Sequence, residues 1–144
     1  MGTVRPVRVA VVRCVRCHAA LTGRLIPALR PRLDPAAIEA LTTGHDDAER
    51  DVVHAGSYLV ADEAMAAALS TWDVEPGDLL VAVGDERGTT PVGRRVGCCG
   101  VDGVDRPNTA CANGHPVGTT IRDCWTPHLT VLDRAAVSLI VLPG

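Results

Sequence analysis

The chain contains no phenylalanine and no lysine, and aromatic residues make up 2% of its 144 residues. A core without large rings must close through many small aliphatic contacts or through a cross-link of another kind. Missing Lys and Phe, with abundant Ala, Val, Arg, Asp and Gly, match codon usage in a GC-rich genome and carry no functional message. Long apolar runs are also missing. Residues 135–142 form the longest one near the C-terminus, far short of the ~20 residues that span a bilayer. Residues 7–12 are interrupted by Arg8 and lack a cleavage site, so neither a membrane segment nor a secretory leader is expected, and a cytoplasmic location is. A nucleophile elbow, a Walker loop, a dinucleotide fingerprint and an HExxH pair are all absent, and Ser57, Ser70 and Ser138 have no triad company. These absences argue against the commonest hydrolase and nucleotide-binding chemistries.

No concentrated basic stripe stands out. Net charge is −3 with the signs mixed, and the arginines of the first third (Arg5, Arg8, Arg13, Arg16, Arg24, Arg30 and Arg32) are scattered over several elements. Nucleic-acid binding is therefore not favoured, and a solvated face is the simpler reading.

What is present is an ordinary core composition, 47% hydrophobic and 22% charged, in a chain sized for one domain over residues 1–144. Residues 7–13 read as a strand ending at Cys14. Asp34 and Pro35 read as the start of a short helix to Leu41, and Asp62 as the start of another to Leu69. Strands are expected at residues 57–61, 79–83, 119–122, 129–132 and 137–142, with turns at Glu75–Asp78 and Asp133-Arg134. The expected fold is a β-rich α+β single domain with short helices and zinc-ribbon-like knuckles.

Six cysteines remain to be explained. In a reducing compartment they indicate metal or redox chemistry rather than a disulfide frame. Cys14-Val15-Arg16-Cys17 directly follows a strand, so a tight turn aims both sulfurs at one point. About a hundred residues later, Cys111-Ala112-Asn113-Gly114-His115 forms a second knuckle. Two such knuckles supply the four ligands of tetrahedral Zn²⁺. A plain zinc ribbon places Cys where Gly114 stands, so here His115 has to serve. Gly97-Cys98-Cys99-Gly100 and Asp123-Cys124-Trp125-Thr126-Pro127-His128 follow as further candidates. One arrangement joins one or both of Cys98 and Cys99 to Cys124 and His128 in a second site. The other leaves one of these cysteines to the first site and the rest as small buried hydrophobes. A strained vicinal disulfide at Cys98-Cys99 is a further alternative.

Cys14-Val15-Arg16-Cys17-His18 also spells the c-type haem attachment pattern, which requires export. His45 and His54, among Asp46, Asp47, Glu49 and Asp51, read as a charged loop rather than a metal site. Asp102, Asp105 and Asn108 lack the order of a calcium loop, and turn-forming roles are expected. Trp125 is expected to shield a metal from water or to mark a partner surface.

The stretch from Gly97 to Asp133, set beside the early Cys-x-x-Cys, resembles a small uncharacterised bacterial family with zinc-ribbon-like features. The shared elements are the GCCGVDGVDRPN run, a Cys knuckle and DCWT. The resemblance implies a zinc-ribbon-like metal site and no particular substrate. The family pattern has a Cys-x-x-Cys second knuckle, from which Gly114 departs. The metal ligands expected are drawn from Cys14, Cys17, Cys98, Cys99, Cys111, His115 and Cys124. The expected function is a zinc-binding protein with a mainly structural site and a protein partner. A second expectation is a hydrolytic zinc enzyme with an open position at Cys98 or Cys99, Cys124 and His128, using Asp123 or Asp102 as base. A third is thiol redox or metal transfer through Cys98-Cys99.

Overall fold

The computed structural model describes residues 8–41 and 49–143. His45, Asp46 and Asp47 of the expected charged loop lie outside them. Strand β1 (Ala10–Cys14) alternates buried and outward residues, placing Ala10, Val12 and Cys14 inward. It pairs antiparallel with β9 (Val137–Val141), Cys14 lying opposite Val137. The chain turns at Cys14–Cys17 and returns along the other edge of β1, where Leu21 and Leu25 amides donate to the carbonyls of Val12 and Ala10. The first knuckle is thus the tip of a hairpin, and its position is fixed by the ladders on both sides.

The larger sheet, among the described residues, runs β2-β3-β4-β8-β7-β6-β5. Its strands are β2 (Ile26–Pro27), β3 (Ser57–Val60), β4 (Leu79–Val81), β5 (Thr89–Pro91), β6 (Thr109–Cys111), β7 (Pro116–Ile121) and β8 (Leu129–Leu132). All neighbours are antiparallel except β2 and β3.

Two helices begin where the sequence places them, each on an aspartate cap. Asp34 accepts from the Ala37 amide at 2.8 Å to start α1 (Pro35–Ala40). Asp62 accepts from Met65 at 2.8 Å to start α2 (Glu63–Ala68). The result is strand-rich with two short helices, consistent with the β-rich α+β expectation. No helix among the described residues is long and apolar enough to cross a membrane.

Period-two alternation sends β4 and β8 side chains to both faces of the sheet. On one face Leu80, Ile121, Leu129 and Val131 meet Ile38, Met65, Leu69 and Trp72 from the helical side. On the other, Leu79, Val81, Val117 and Leu132 meet Val12, Leu21 and Val137 from the β1–β9 ribbon. Cys14 and Cys111 belong to this second cluster, so the ribbon packs against the sheet with two thiols already inside the contact.

Several strands differ in extent from the sequence reading. β1 begins at Ala10, and β7 (Pro116–Ile121) covers the strand-like segment after the second knuckle, extending N-terminal to Thr119. β2, β5 and β6 are additional. Each has only two or three residues, too few to show an alternation before a neighbour pairs with them.

Candidate metal centre

Two turns on opposite layers build the first site. In the Cys14–Cys17 turn, the His18 amide donates to the Cys14 carbonyl at 2.9 Å, and the Cys14 amide to that of Ala19 at 3.0 Å. His18 closes the turn with φ +63, the left-handed conformation that Asn and His tolerate better than β-branched residues. It thus ends a knuckle. Its position in the haem-type pattern has a turn-forming explanation.

The second turn links β6 to β7. Gly114, at φ +85, donates its amide to the Cys111 carbonyl at 2.9 Å. The His115 amide donates to Cys111 Sγ at 3.4 Å. The position where a plain ribbon carries Cys is therefore the left-handed residue of this turn, which glycine fills at no steric cost. The next residue, His115, supplies the donor. His115 Nδ1 lies 3.3 Å from Cys111 Sγ and 3.7 Å from Cys14 Sγ, and Cys17 Sγ lies 3.7 Å from Cys111 Sγ.

These spacings fit one central ion. Tetrahedral binding with Zn–S ≈ 2.3 Å and Zn–N ≈ 2.0–2.1 Å sets sulfurs about 3.8 Å apart and S···N about 3.5 Å apart. All four donor atoms lie within 4.8 Å of one another. Cys14 and Cys111 are 1% and 0% exposed, and Cys17 and His115 are half-buried. Burial pushes the Cys14 thiol up. The Cys17 thiol is lowered to about 6, chiefly by the Asn113 side chain and then by the Ala19 amide. The set of Cys14, Cys17, Cys111 and His115 is a closed group of donors able to hold a metal.

A second group brings together Cys98, Cys99, Asp123 and Cys124, again with donor atoms within 4.8 Å. Its centre is Asp123, which is 2% exposed. Asp123 Oδ1 accepts from the amides of Cys99 at 3.0 Å and Cys124 at 2.8 Å, and Oδ2 accepts from the Cys98 amide at 3.0 Å. The Cys98 thiol donates to Oδ1 at 3.3 Å. Burial alone would raise this carboxyl, but the amides of Cys99, Cys124 and Cys98 and the Cys98 thiol outweigh it. They hold the carboxyl well below the usual carboxylate range. The thiols respond in the opposite sense. Cys98 is pushed far up by hydrogen bonding with Cys124, Cys99 and Asp123. Cys124 gains from its contact with Cys98, but Cys99, burial and the Asp123 charge leave it raised.

The flanking glycines explain how adjacent cysteines share one centre. A Cβ on Gly100 would stand 2.1 Å from the Arg122 carbonyl oxygen, and one on Gly97 would stand 2.1 Å from that of Gly100 and 2.5 Å from Asp123 Oδ2. Only a glycine-framed loop wraps this tightly around the carboxylate. The two sulfurs end 3.2 Å apart as free thiols, without the vicinal disulfide.

His128 does not join this group. Its Nε2–H donates to the Asp123 carbonyl at 3.0 Å, and Nδ1 faces Asp51 at 3.9 Å. Thr126 Oγ1 accepts from the Asp123 amide at 2.9 Å. The Cys-x-x-x-His spacing at Cys124 is therefore a braced turn, and the expected His128 ligand is corrected to a backbone brace. Asp123, expected as a base or not at all, is the residue that organises the loop. The sequence signal for it was available only as an aspartate next to Cys124.

Other candidates take structural roles. Asp102 accepts from the Val104 amide at 2.9 Å, an Asx turn as expected. Asn108 is fully buried and clamps Thr120 through both its amide and its carbonyl. The His54 carbonyl accepts from the Ser57 amide and hydroxyl. Trp125, expected to shield a metal, stacks on Trp72 with centroids 6.1 Å apart and stays 43% exposed. Beside Cys99 opens a cavity of about 700 Å³ bordered by Glu86, Thr90, Arg95, Thr120 and Arg122.

No family model, no curated protein and no solved structure matches the chain. The bacterial-family resemblance accordingly rests on its motifs alone. The conclusion that stands is the coarser one: two groups of cysteine, histidine and aspartate side chains are arranged so that each can hold a metal ion.

Proposed function

We propose that the protein is a zinc-binding protein whose Cys14, Cys17, Cys111 and His115 hold one structural ion that clasps the β1 hairpin to the β6–β7 turn. The observation that carries this reading is the spacing of the four donors. Turns about a hundred residues apart in sequence meet at distances fitting a tetrahedron, with a soft S₃N donor set that suits zinc. Such an ion supplies folding free energy outright, in a chain with only three aromatic residues. The protein-partner role expected from the sequence is supported by exposed Val96 and Trp125, which flank the second cysteine group along the chain.

Elemental analysis of the full chain after exhaustive dialysis tests the zinc assignment. One equivalent of zinc is expected in the native protein and none in Cys17→Ser. Zinc content unchanged by Cys17→Ser would remove the assignment.

A second reading, a hydrolytic zinc enzyme, is favoured by one feature. The cavity beside Cys99, an exposed residue, is lined by Glu86, Arg95 and Arg122. Zinc bound by three protein donors and a water at Cys98, Cys99 and Cys124 would support it.

A further inference from the structure

We infer that Cys98, Cys99 and Cys124 form a second, solvent-open site for a soft, thiophilic cation, monovalent copper being the ion that fits, with Asp123 as its anchor rather than a donor. The first argument is the use of the carboxylate. A carboxylate offers about four lone-pair positions on its two oxygens. Oδ1 already receives two amides and a thiol, and Oδ2 receives a third amide. The loop also closes in on Oδ2, since a Cβ on Gly97 would stand 2.5 Å from it. A metal drawing on Oδ1 would have to displace hydrogen bonds that hold the cysteines in place.

The donors left are three sulfurs. Zinc in a structural site takes four protein ligands, whereas monovalent copper, one of the ions that soft thiolate sets select, is satisfied by two or three sulfurs. The second argument is exposure. Cys14 and Cys111 are buried, but Cys98, Cys99 and Cys124 are all exposed. An ion held there is reachable by an incoming thiolate, so the site is suited to acquiring and handing over its ion by ligand exchange. Each sulfur–metal bond that forms releases one thiol proton to solvent, and the ion keeps its oxidation state throughout. Three of the four hydrogen bonds to Asp123 come from backbone amides and one from the Cys98 thiol, so removing the sulfurs leaves most of the loop's anchor in place.

The test is an anaerobic titration of the zinc-loaded full chain with Cu(I), following sulfur-to-copper charge-transfer absorption, zinc release and the copper-edge X-ray absorption spectrum. One equivalent of Cu(I) is expected to bind with a sulfur-only first shell and without release of zinc. The triple variant Cys98→Ser, Cys99→Ser, Cys124→Ser is expected to keep its zinc and its circular dichroism. Its Cu(I) affinity should fall by more than the ~10–100-fold that loss of a second-shell partner costs. Cu(I) that displaces zinc equally in the native and triple-variant proteins would overturn the inference. So would a site that prefers Zn(II) and shows an oxygen donor in its first shell. Failure of zinc to load the first group is read separately by elemental analysis and bears on the structural-zinc reading alone.

Discussion

Replacing Cys111 with serine is expected to leave the chain unfolded at ambient temperature. Cys111 is fully buried, lies in the core cluster between ribbon and sheet, and its sulfur stands at contact distance from Cys17 and His115. Structural zinc contributes an apparent ~10–16 kcal/mol in zinc-finger peptides at neutral pH, while a whole domain is stable by only ~5–15 kcal/mol. Loss of one buried ligand therefore removes a large share of the total. It also leaves three remaining donors around an empty centre in a poorly aromatic core. Far-UV circular dichroism and size-exclusion chromatography check this, and a cooperative native transition retained by Cys111→Ser would count against it. The matched control is Cys99→Ser. That side chain is exposed and its amide still reaches Asp123, so its stability should stay within about 0.5 kcal/mol of the native protein.

Asp123→Ala is expected to cost about 2–4 kcal/mol and to free the Gly97–Gly100 loop. Three amides and one thiol lose their acceptor. Hydrogen bonds to a charged acceptor contribute about 1.5–3 kcal/mol each. The sum is discounted because the cysteines around it are exposed and water can reach the released amides. Asp123→Asn keeps one acceptor oxygen and should cost less. Chemical denaturation measures the loss, and alkylation of Cys98 should accelerate in Asp123→Ala as its sulfur leaves the shared centre. An unchanged denaturation midpoint with unchanged alkylation would show that the carboxylate does not hold the loop.

The contrast between the two cysteine groups shows what local chemistry reveals. Cys14-x-x-Cys17 and Cys111 to His115 are legible as one site because a metal knuckle is a local object. Ligand spacing, a preceding strand and a left-handed residue after the turn all lie within five residues. Pairing across the chain then follows from the need for four donors. The helices are legible for the same reason, through Asp34 and Asp62 one residue ahead of their first turns.

Asp123 is different, because its partners come from Cys98 and Cys99, some 25 residues earlier. A carboxylate beside a cysteine reads as ligand or base until the amides that fill its lone pairs are placed. His128 repeats the spacing of His115, but spacing does not distinguish a side chain that faces a metal from one that ties down a carbonyl. The glycines of Gly97-Cys98-Cys99-Gly100 suggest a tight turn in the sequence. What they wrap around emerges only once Arg122 and Asp123 stand within 2.5 Å of their missing side chains.

The clasp itself is tested most directly by removing metal from the full chain with a chelator while zinc release and far-UV circular dichroism are followed on the same sample. Zinc loss and loss of secondary structure are predicted to superimpose in one cooperative step, reversed when zinc is returned. Native circular dichroism that survives complete removal of the metal would contradict the claim that Cys14, Cys17, Cys111 and His115 hold the fold together through an ion.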